Sequence, residues 1–298
     1  MLCQLILLAF VCYAKDYLDG GVNWPEPSCD PSNNPKLSPI VVRREKTQCN
    51  QEYLMDMYFF NLGSQEISIS YRGDPKTIRI STAQSFSQLF LRSGNSRIAS
   101  YSLKEIVFRY PPEHKIANDH ADVEGQYNYT IDAEFEDIDL PKELTMSIFY
   151  VKDDIENTSG LFYSIIKSIG ELNMDTVRST SAGQPIVATI DSLGALNSVF
   201  DRPFKFLAYE GTDTDNDCSN ERFWILIEER VPLSATLIEA YAGYIKELSS
   251  FEGNARIIDN QNEIVVYNCG IKCDEFFEAF LWSFILYGAV LYLIYKFV

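Results

Sequence analysis

Two histidines, His114 and His120, are the only imidazoles in the 298-residue chain. A zinc site built from three imidazoles is therefore impossible. Their spacing of six does not put them on one face of a helix, and on strands they would need a sharp bend between them. With Asp119 or Asp122, a weak surface metal site at His120 is conceivable. We expect instead that His114 is structural and that His120 is solvated.

Cysteines are the other reactive side chains, at positions Cys3, Cys12, Cys29, Cys49, Cys218, Cys269 and Cys273. A secreted chain is expected to pair some of its cysteines. Cys269 and Cys273 precede an apolar segment, where they could pair with each other, pair with another chain or be acylated. Cys49 has no assignable role. Two glycosylation sequons, at Asn128 and Asn157, fit the same extracytosolic compartment.

The composition is that of a globular, acidic protein. Hydrophobic residues make up 46% and charged residues 22%, so wholesale disorder is excluded. Lys and Arg number 25 against 42 Asp and Glu, a net charge of −17. Nucleic-acid binding is therefore not expected, because a basic surface would have to work against the field of the rest of the protein.

Both ends of the chain are apolar. Met1–Ala14 carries no charge and ends on a small residue, which predicts a secretory signal peptide, with a buried first helix as the alternative. Phe276–Val298 contains 23 residues and only two charged ones, Glu278 and Lys296. At about 1.5 Å per residue these reach across a hydrocarbon core of about 30 Å. We predict a transmembrane helix; a lipid-anchor signal following Asn268 is the alternative.

Between these ends, residues 15–275 form one ectodomain without an internal repeat or an obvious linker. Alternating and buried-strand patterns predict β-strands at Glu66–Tyr71, Thr77–Ser81, Ser102–Tyr110, Tyr127–Glu136, Leu144–Val151 and Arg222–Ile227. Helical patterns are fewer, at Gly160–Gly170 and at Ser234–Leu248, where Ser234 is a natural N-cap. The sequence therefore predicts a mostly antiparallel β-domain with a few surface helices.

Several segments, in order along the chain, resemble the α-class carbonic anhydrases. They are Trp24, Cys29, Leu37–Ile40, Tyr101–Tyr110, the pair Glu113-His114, Lys205–Trp224, Val231–Ser234 and Asn254–Arg256. The resemblance extends from about Tyr17 to Tyr267. It implies a single domain on a large twisted sheet with the site in a cone-shaped cavity. It also implies a disulfide between Cys29 and Cys218, the positions used by extracellular members.

In this family two histidines at i and i+2 of one strand and a third from the neighbouring strand hold zinc. The resemblance places the first two ligand positions at Val107 and Arg109. Counting from Tyr129 places the third at Glu134, or at Glu136 after a slip. The proton-shuttle position falls near Ser64. None of these residues is histidine, so we expect no zinc and no other metal.

Arg109 donates hydrogen bonds only and repels a dication. We predict that it pairs with Glu134 where the metal would sit, with Glu105 as a second candidate partner. The alternative is that Arg109 reaches out of the cavity mouth while Glu134 is hydrated.

Two residues around the family's zinc site are retained. Glu113 and Thr214 match the pair that orients the zinc-bound hydroxide in active members. Their neighbourhood differs, because an acidic stretch replaces an apolar wall that would hold CO₂: Asp213, Asp215, Asn216 and Asp217.

The sequence therefore predicts a catalytically inactive carbonic-anhydrase-like ectodomain on a membrane anchor, in the secretory pathway. Metal-free relatives serve as binding modules, and the net charge favours a protein partner with a basic surface. A structural subunit of a membrane assembly is a third possibility. The rival interpretation is a membrane-anchored carbonic anhydrase with a non-standard metal site.

Overall fold

A computed structural model describes residues 24–269 of the chain, except 25–26, 31, 50–53, 60–64, 73–76, 83–84, 86, 94–95, 136–140, 155–160, 171–173, 180–184, 191–204, 215–217, 250–252 and 257–263. The predicted signal peptide and transmembrane helix lie outside these residues, as do Ser64, Glu136, Asn157 and Cys273. Among the helices that the structure describes, none combines the length and the apolarity needed to cross a bilayer.

Most of the described chain is β-strand. The strands are β1 (Val41–Val42), β2 (Gln48–Cys49), β3 (Leu54–Phe59), β4 (Gln65–Arg72), β5 (Thr77–Thr82), β6 (Ser87–Ser93), β7 (Ser96–Arg109), β8 (Lys115–Ile116), β9 (Val123–Ile131), β10 (Glu143–Asp153), β11 (Ile186–Ile190), β12 (Phe206–Thr212), β13 (Glu221–Ser234) and β14 (Tyr267–Cys269). The helices are α1 (Leu161–Gly170), α2 (Met174–Ser179) and α3 (Ala235–Ser249). Short 3-10 turns lie at Pro27–Cys29, Arg44–Lys46 and Ala133–Phe135.

One large mixed sheet positions the site. Its order is β11-β4-β5-β7-β9-β10-β13-β12-β14-β2, with β3 and β6 paired and joined to β7. All pairs are antiparallel except β10 with β13 and β14 with β2. The predicted mostly-β fold is confirmed. Both predicted helices are present, and each predicted strand overlaps an observed one, although β7 begins earlier, at Ser96, and β13 continues to Ser234.

The two faces of the sheet differ in character. One face packs the main apolar core against α1 and α3, through residues such as Phe108, Phe162 and Tyr241. The other face carries a smaller apolar cluster around Trp224 and Tyr209, and beside it a row of polar side chains. Because side chains alternate along a strand, Val107 and Arg109 lie on this second face, opposite to Phe108.

Strand β9 ends earlier than predicted. It stops at Ile131, and the residues from Ala133 to Phe135 form a 3-10 turn. Asp132 fixes this exit, because its carboxylate accepts hydrogen bonds from Ser102 Oγ at 2.7 Å and Gln88 Nε2 at 3.0 Å. The predicted strand over Tyr127–Glu136 is therefore wrong in its last third, and Glu134 leaves the sheet.

Candidate functional site

The candidate site lies where β7 and β9 pair in the middle of the sheet. Val107 is opposite Gln126, and Arg109 is opposite Glu124. Arg109 Nε donates to Gln126 Oε1 at 3.2 Å. Two residues two apart on one strand and a third across from them on its neighbour form the arrangement that the zinc ligands would need. The structure therefore places the third ligand position at Gln126.

The assignment of this position to Glu134 is corrected. Glu134 lies in the 3-10 turn after β9 and is exposed, whereas Arg109 is fully buried. The count from Tyr129 would reach the ligand position at Glu134 only if β9 continued, and β9 ends at Ile131.

The three residues at this position do not suit zinc. Val107 offers no lone pair, and Arg109 is a cation that only donates. Gln126 is a neutral amide whose Oε1 accepts from Arg109 and whose Nε2 donates to Glu113 Oε2 at 2.7 Å. Zinc requires imidazole, thiolate or carboxylate ligands, and no group of three such side chains that could hold a metal occurs among the described residues.

Arg109 has a carboxylate partner, but not the predicted one. Its Nε lies 3.5 Å from Glu113 Oε1, and both side chains are fully buried. Its Nη1 donates to the backbone oxygen of Asn254 at 3.1 Å. Glu105, the second candidate, instead binds Arg79 at 2.6 Å. The predictions that Arg109 pairs with Glu134 or reaches out of the cavity are both wrong.

Glu113 therefore serves as a counter-ion in this chain. Besides Arg109 and Gln126, its Oε1 accepts the backbone N–H of Arg256 at 2.8 Å. Both carboxylate oxygens are thus committed to side chains and backbone around the former ligand positions. Asp213 and Thr214 are buried just after β12. Residues 215–217 of the acidic stretch lie outside the residues that the structure describes.

A second buried carboxylate holds His114. Glu124 Oε1 lies 2.8 Å from His114 Nδ1 and 2.6 Å from Ser147 Oγ, and its Oε2 accepts the backbone N–H groups of Glu113 and His114. His114 Nε2 lies 2.6 Å from the Tyr209 hydroxyl, which donates to Ser38 Oγ at 3.0 Å. Through Glu124 and Tyr209, His114 therefore connects Ser38 to strands β9, β10 and β12. His120, by contrast, is 79% exposed and lies 3.3 Å from Asp122.

The network shifts the pKa values of its two acidic groups, Glu124 and Tyr209, in opposite directions. Burial by itself raises the pKa of Glu124, but the charge of His114 and the hydrogen bonds from His114 and Ser147 outweigh it and lower the pKa to about 2. Burial also raises the pKa of Tyr209 well above its ordinary value, so the phenol stays neutral. The network consequently keeps one buried carboxylate ionised at neutral pH.

A Glu124→Gln variant should reveal this as acid sensitivity. A depressed carboxyl pKa contributes stability that is complete above about pH 4.5 and is lost as the pH falls toward 2. We expect the variant to be less stable than the parent by about 3 kcal/mol at pH 7. The gap should narrow in urea titrations between pH 5 and 3. A gap that stays constant with pH would contradict the assigned pKa, and the exposed Glu134→Gln serves as the control.

A row of polar side chains crosses the same face next to Val107. Asn128 Nδ2 donates to Glu105 at 3.5 Å, and Asn128 Oδ1 accepts from Thr145 at 2.7 Å and Arg222 at 3.1 Å. Arg222 also forms an ion pair with Glu143. With the pair formed by Arg79 and Glu105, this row spans five strands. Most of its polar groups bond to one another, although Arg222 Nε is buried without a hydrogen-bond partner among the described residues.

Asn128 is accordingly a poor glycosylation site. It is 9% exposed in the middle of β9, and its amide lies within the polar row. A glycan on Nδ2 would have to displace Glu105. The burial of Asn128 therefore argues against a glycan in the folded domain, while Asn157 lies outside the described residues.

The predicted disulfide between Cys29 and Cys218 is present, with 189 residues of sequence separation. Arg256 is fully buried beside it, where Nη2 donates to the Cys29 oxygen at 2.7 Å and the guanidinium lies 4.9 Å from the Trp24 ring centre. Cys269 is a buried free thiol, and burial raises its pKa to about 12.

Two residues of the site, Glu124 and Gln126, are not among the site residues predicted from the sequence. The signal for both was available: Glu124, Gln126 and Asn128 are polar at alternate positions of an otherwise apolar strand, a pattern that indicates one polar face. Asn254 belongs to the resembling segment Asn254–Arg256, but only the fold shows its role: its side-chain amide accepts the backbone N–H of Tyr110 and donates to the backbone oxygen of Phe108.

Comparisons with known structures show the same fold. A halotolerant carbonic anhydrase from Dunaliella salina is 15% identical with a TM-score of 0.62, covering 85% of this chain and 97% of that one. Dioscorin, in a complex with ascorbate, is 19% identical with a TM-score of 0.59, covering 85% and 96%. An α carbonic anhydrase from Aspergillus oryzae is 19% identical with a TM-score of 0.56, covering 77% and 84%. A search of curated proteins found no match.

The sequence profile of eukaryotic-type carbonic anhydrases matches residues 19–269, which includes every residue of the site described above. This match covers most of the chain and agrees with the fold. The chain therefore belongs to the eukaryotic-type carbonic anhydrase family.

Proposed function

We propose that this chain is a non-catalytic member of the family that works as a membrane-anchored binding module. The observation that carries the proposal is the set Val107, Arg109 and Gln126 at the ligand positions, joined to Glu113 by hydrogen bonds and charge. A guanidinium fills the place that a dication would need. The polar row from Arg79 to Glu143 further supports it, because CO₂ would meet charged and amide groups.

A partner with a basic surface fits the charge distribution. Three buried or half-buried arginines have carboxylates beside them, in the pairs Arg109–Glu113, Arg79–Glu105 and Arg222–Glu143. Each of these pairs is neutral, so the net charge of −17 comes from the other charged residues of the chain. Long-range attraction would speed encounter with a basic protein and would weaken with added salt.

Whether the chain binds zinc can be tested directly on the full-length protein, purified in detergent without chelator. We expect no stoichiometric zinc by elemental analysis and no CO₂ hydration above background. The triple variant V107H/R109H/Q126H should gain about one zinc per chain, with a urea midpoint that rises when zinc is added.

The matched control places the third histidine in the exposed turn, as V107H/R109H/E134H. It carries the same number of histidines but lacks the geometry, so its zinc affinity should be clearly lower. About one tightly held zinc in the parent chain, or measurable hydration, would overturn the non-catalytic proposal. Equal zinc binding by the two triple variants would overturn the assignment of Gln126.

The anchor is part of the proposal, with Met1–Ala14 as a signal peptide and Phe276–Val298 as a spanning helix. A spanning helix is favoured over a lipid because a lipid-anchor cleavage at Asn268 would remove Cys269, which is fully buried where β14 pairs with β12. We expect the protein to stay with membranes after alkaline carbonate washing and after phosphatidylinositol-specific phospholipase. If the phospholipase released the protein, the anchor would be a lipid and not a spanning helix.

A further inference from the structure

A small cavity lies outside the polar row, between β8 and the β10–β13 pair. Its volume is about 250 Å³, just below the range of about 300–1,000 Å³ that drug-sized ligands occupy. Pro111, Pro112, Ile116, Ala121 and Phe149 supply apolar walls, and the charged lining includes Lys115 and Arg230. The cavity therefore suits an occupant of about one ring with an apolar body.

Arg230 enters this cavity because β13 bulges. Ser147 pairs with Leu226 but Phe149 pairs with Arg230, so residues 227–229 of β13 are opposite the single residue Ile148. Bulges of this kind redirect side chains. Here the Arg230 guanidinium lies 4.4 Å from the centre of the Phe149 ring, on the same side of the sheet as His114.

The Arg230 guanidinium has unused hydrogen-bonding capacity. Its Nη2 donates to Asp119 at 2.8 Å and its Nη1 to the Ile227 oxygen at 3.4 Å. Its Nε is buried and has no hydrogen-bond partner among the described residues. Nη1 and Nη2 each carry two N–H groups and each donates once in these contacts, so the guanidinium retains N–H groups for an acceptor on a ligand, whereas the enclosed Nε is out of a ligand's reach.

The charges around the cavity favour an anion. Asp119 is the carboxylate in the lining, and its Oδ2 already accepts from both Arg230 and Arg44, while its Oδ1 accepts the backbone N–H of His120. It is therefore not available to bind a cation. Lys115 is exposed at the cavity and forms no ion pair within the part of the chain that the structure describes. The lining therefore carries two cationic side chains, Lys115 and Arg230, against the single carboxylate of Asp119.

We propose that this cavity binds a small organic anion with a flat apolar body, such as an aromatic carboxylate. The carboxylate would accept hydrogen bonds from the Nη groups of Arg230 with support from Lys115, and the apolar body would pack against Pro111 and Ala121, the lining residues that keep exposed apolar surface. The site is separate from Val107, Arg109 and Gln126, and it does not depend on whether the chain binds a metal.

The test is a titration of the full-length protein with benzoate, followed by calorimetry or by ligand-observed NMR, with benzamide as the neutral isostere. We expect saturable benzoate binding and at least about tenfold weaker benzamide binding. Arg230→Gln and Ala121→Leu should each weaken benzoate at least about tenfold, the first by removing the charge and the second by filling the cavity. Lys36→Gln, which changes an exposed lysine elsewhere, should leave the affinity unchanged.

Ala121→Leu keeps the test decisive if Arg230→Gln does not fold, because it leaves the charged network in place. The proposal is overturned if benzoate does not bind the parent protein or if benzamide binds equally well. It is also overturned if Ala121→Leu binds benzoate as tightly as the parent.

Discussion

Replacing Arg109 with methionine is expected to destabilise the protein by about 3–5 kcal/mol, because it leaves the fully buried Glu113 without its cation. Methionine retains much of the side-chain volume, so most of the loss should come from charge and not from a cavity. The free energy of unfolding from urea titrations of the full-length protein, in a fixed detergent, measures it.

Two further variants show whether Glu134 or Glu113 is the carboxylate on which Arg109 depends. Glu134→Gln should unfold within about 0.5 kcal/mol of the parent, since Glu134 is exposed. The double variant Arg109→Met with Glu113→Gln should be more stable than Arg109→Met alone, because the uncompensated charge is gone. A large loss in Glu134→Gln, or strict additivity in the double variant, would show that Arg109 depends on another group.

Loss of the Cys29–Cys218 disulfide should have an effect of the same size. Closing a loop with a sequence separation of 189 residues stabilises by about 5 kcal/mol in the chain-entropy model. We therefore expect the Cys29→Ser/Cys218→Ser protein to unfold at a much lower urea concentration than the parent. Arg256 adds to the loss, because its Nη1 also lies 2.9 Å from Cys218 Sγ.

Cys269→Ala is the matched control for this experiment. It removes a buried thiol that is not bonded to another cysteine in the described chain, so its cost should be nearer about 1 kcal/mol. If removal of the disulfide cost no more than Cys269→Ala, the crosslink would contribute little to the stability of this fold.

The strands that could be predicted from the sequence were those with a clear period of two, such as β4 and β5, and those with long apolar runs, such as β10. Alternation also predicts which side chains of a strand lie on the same face of the sheet. The location of Val107 and Arg109 on one face could therefore be predicted from the sequence. The end of β9 could not be predicted, because the signal is the side chain of Asp132 bonded to Ser102 on another strand. Missing that exit moved the third ligand position from Gln126 to Glu134.

The partner of Arg109 was missed for a related reason. The need for a buried carboxylate was a matter of electrostatics and was correct. Strand register predicts a partner on a neighbouring strand, whereas Glu113 lies four residues along the same chain, beyond the turn at Pro111 and Pro112. Contacts made around a turn depend on the path of the backbone, which spacing alone does not specify.

The exchange of ligands for an ion pair also affects how such a chain can evolve. Changing Arg109 alone to histidine would remove the counter-ion of Glu113 and still leave one imidazole facing valine and glutamine, so stability falls while no metal is gained. Changing Val107 or Gln126 alone supplies a single histidine beside a guanidinium that repels the metal. A single change at any of the three positions therefore creates no three-imidazole site, and the change at Arg109 also costs stability.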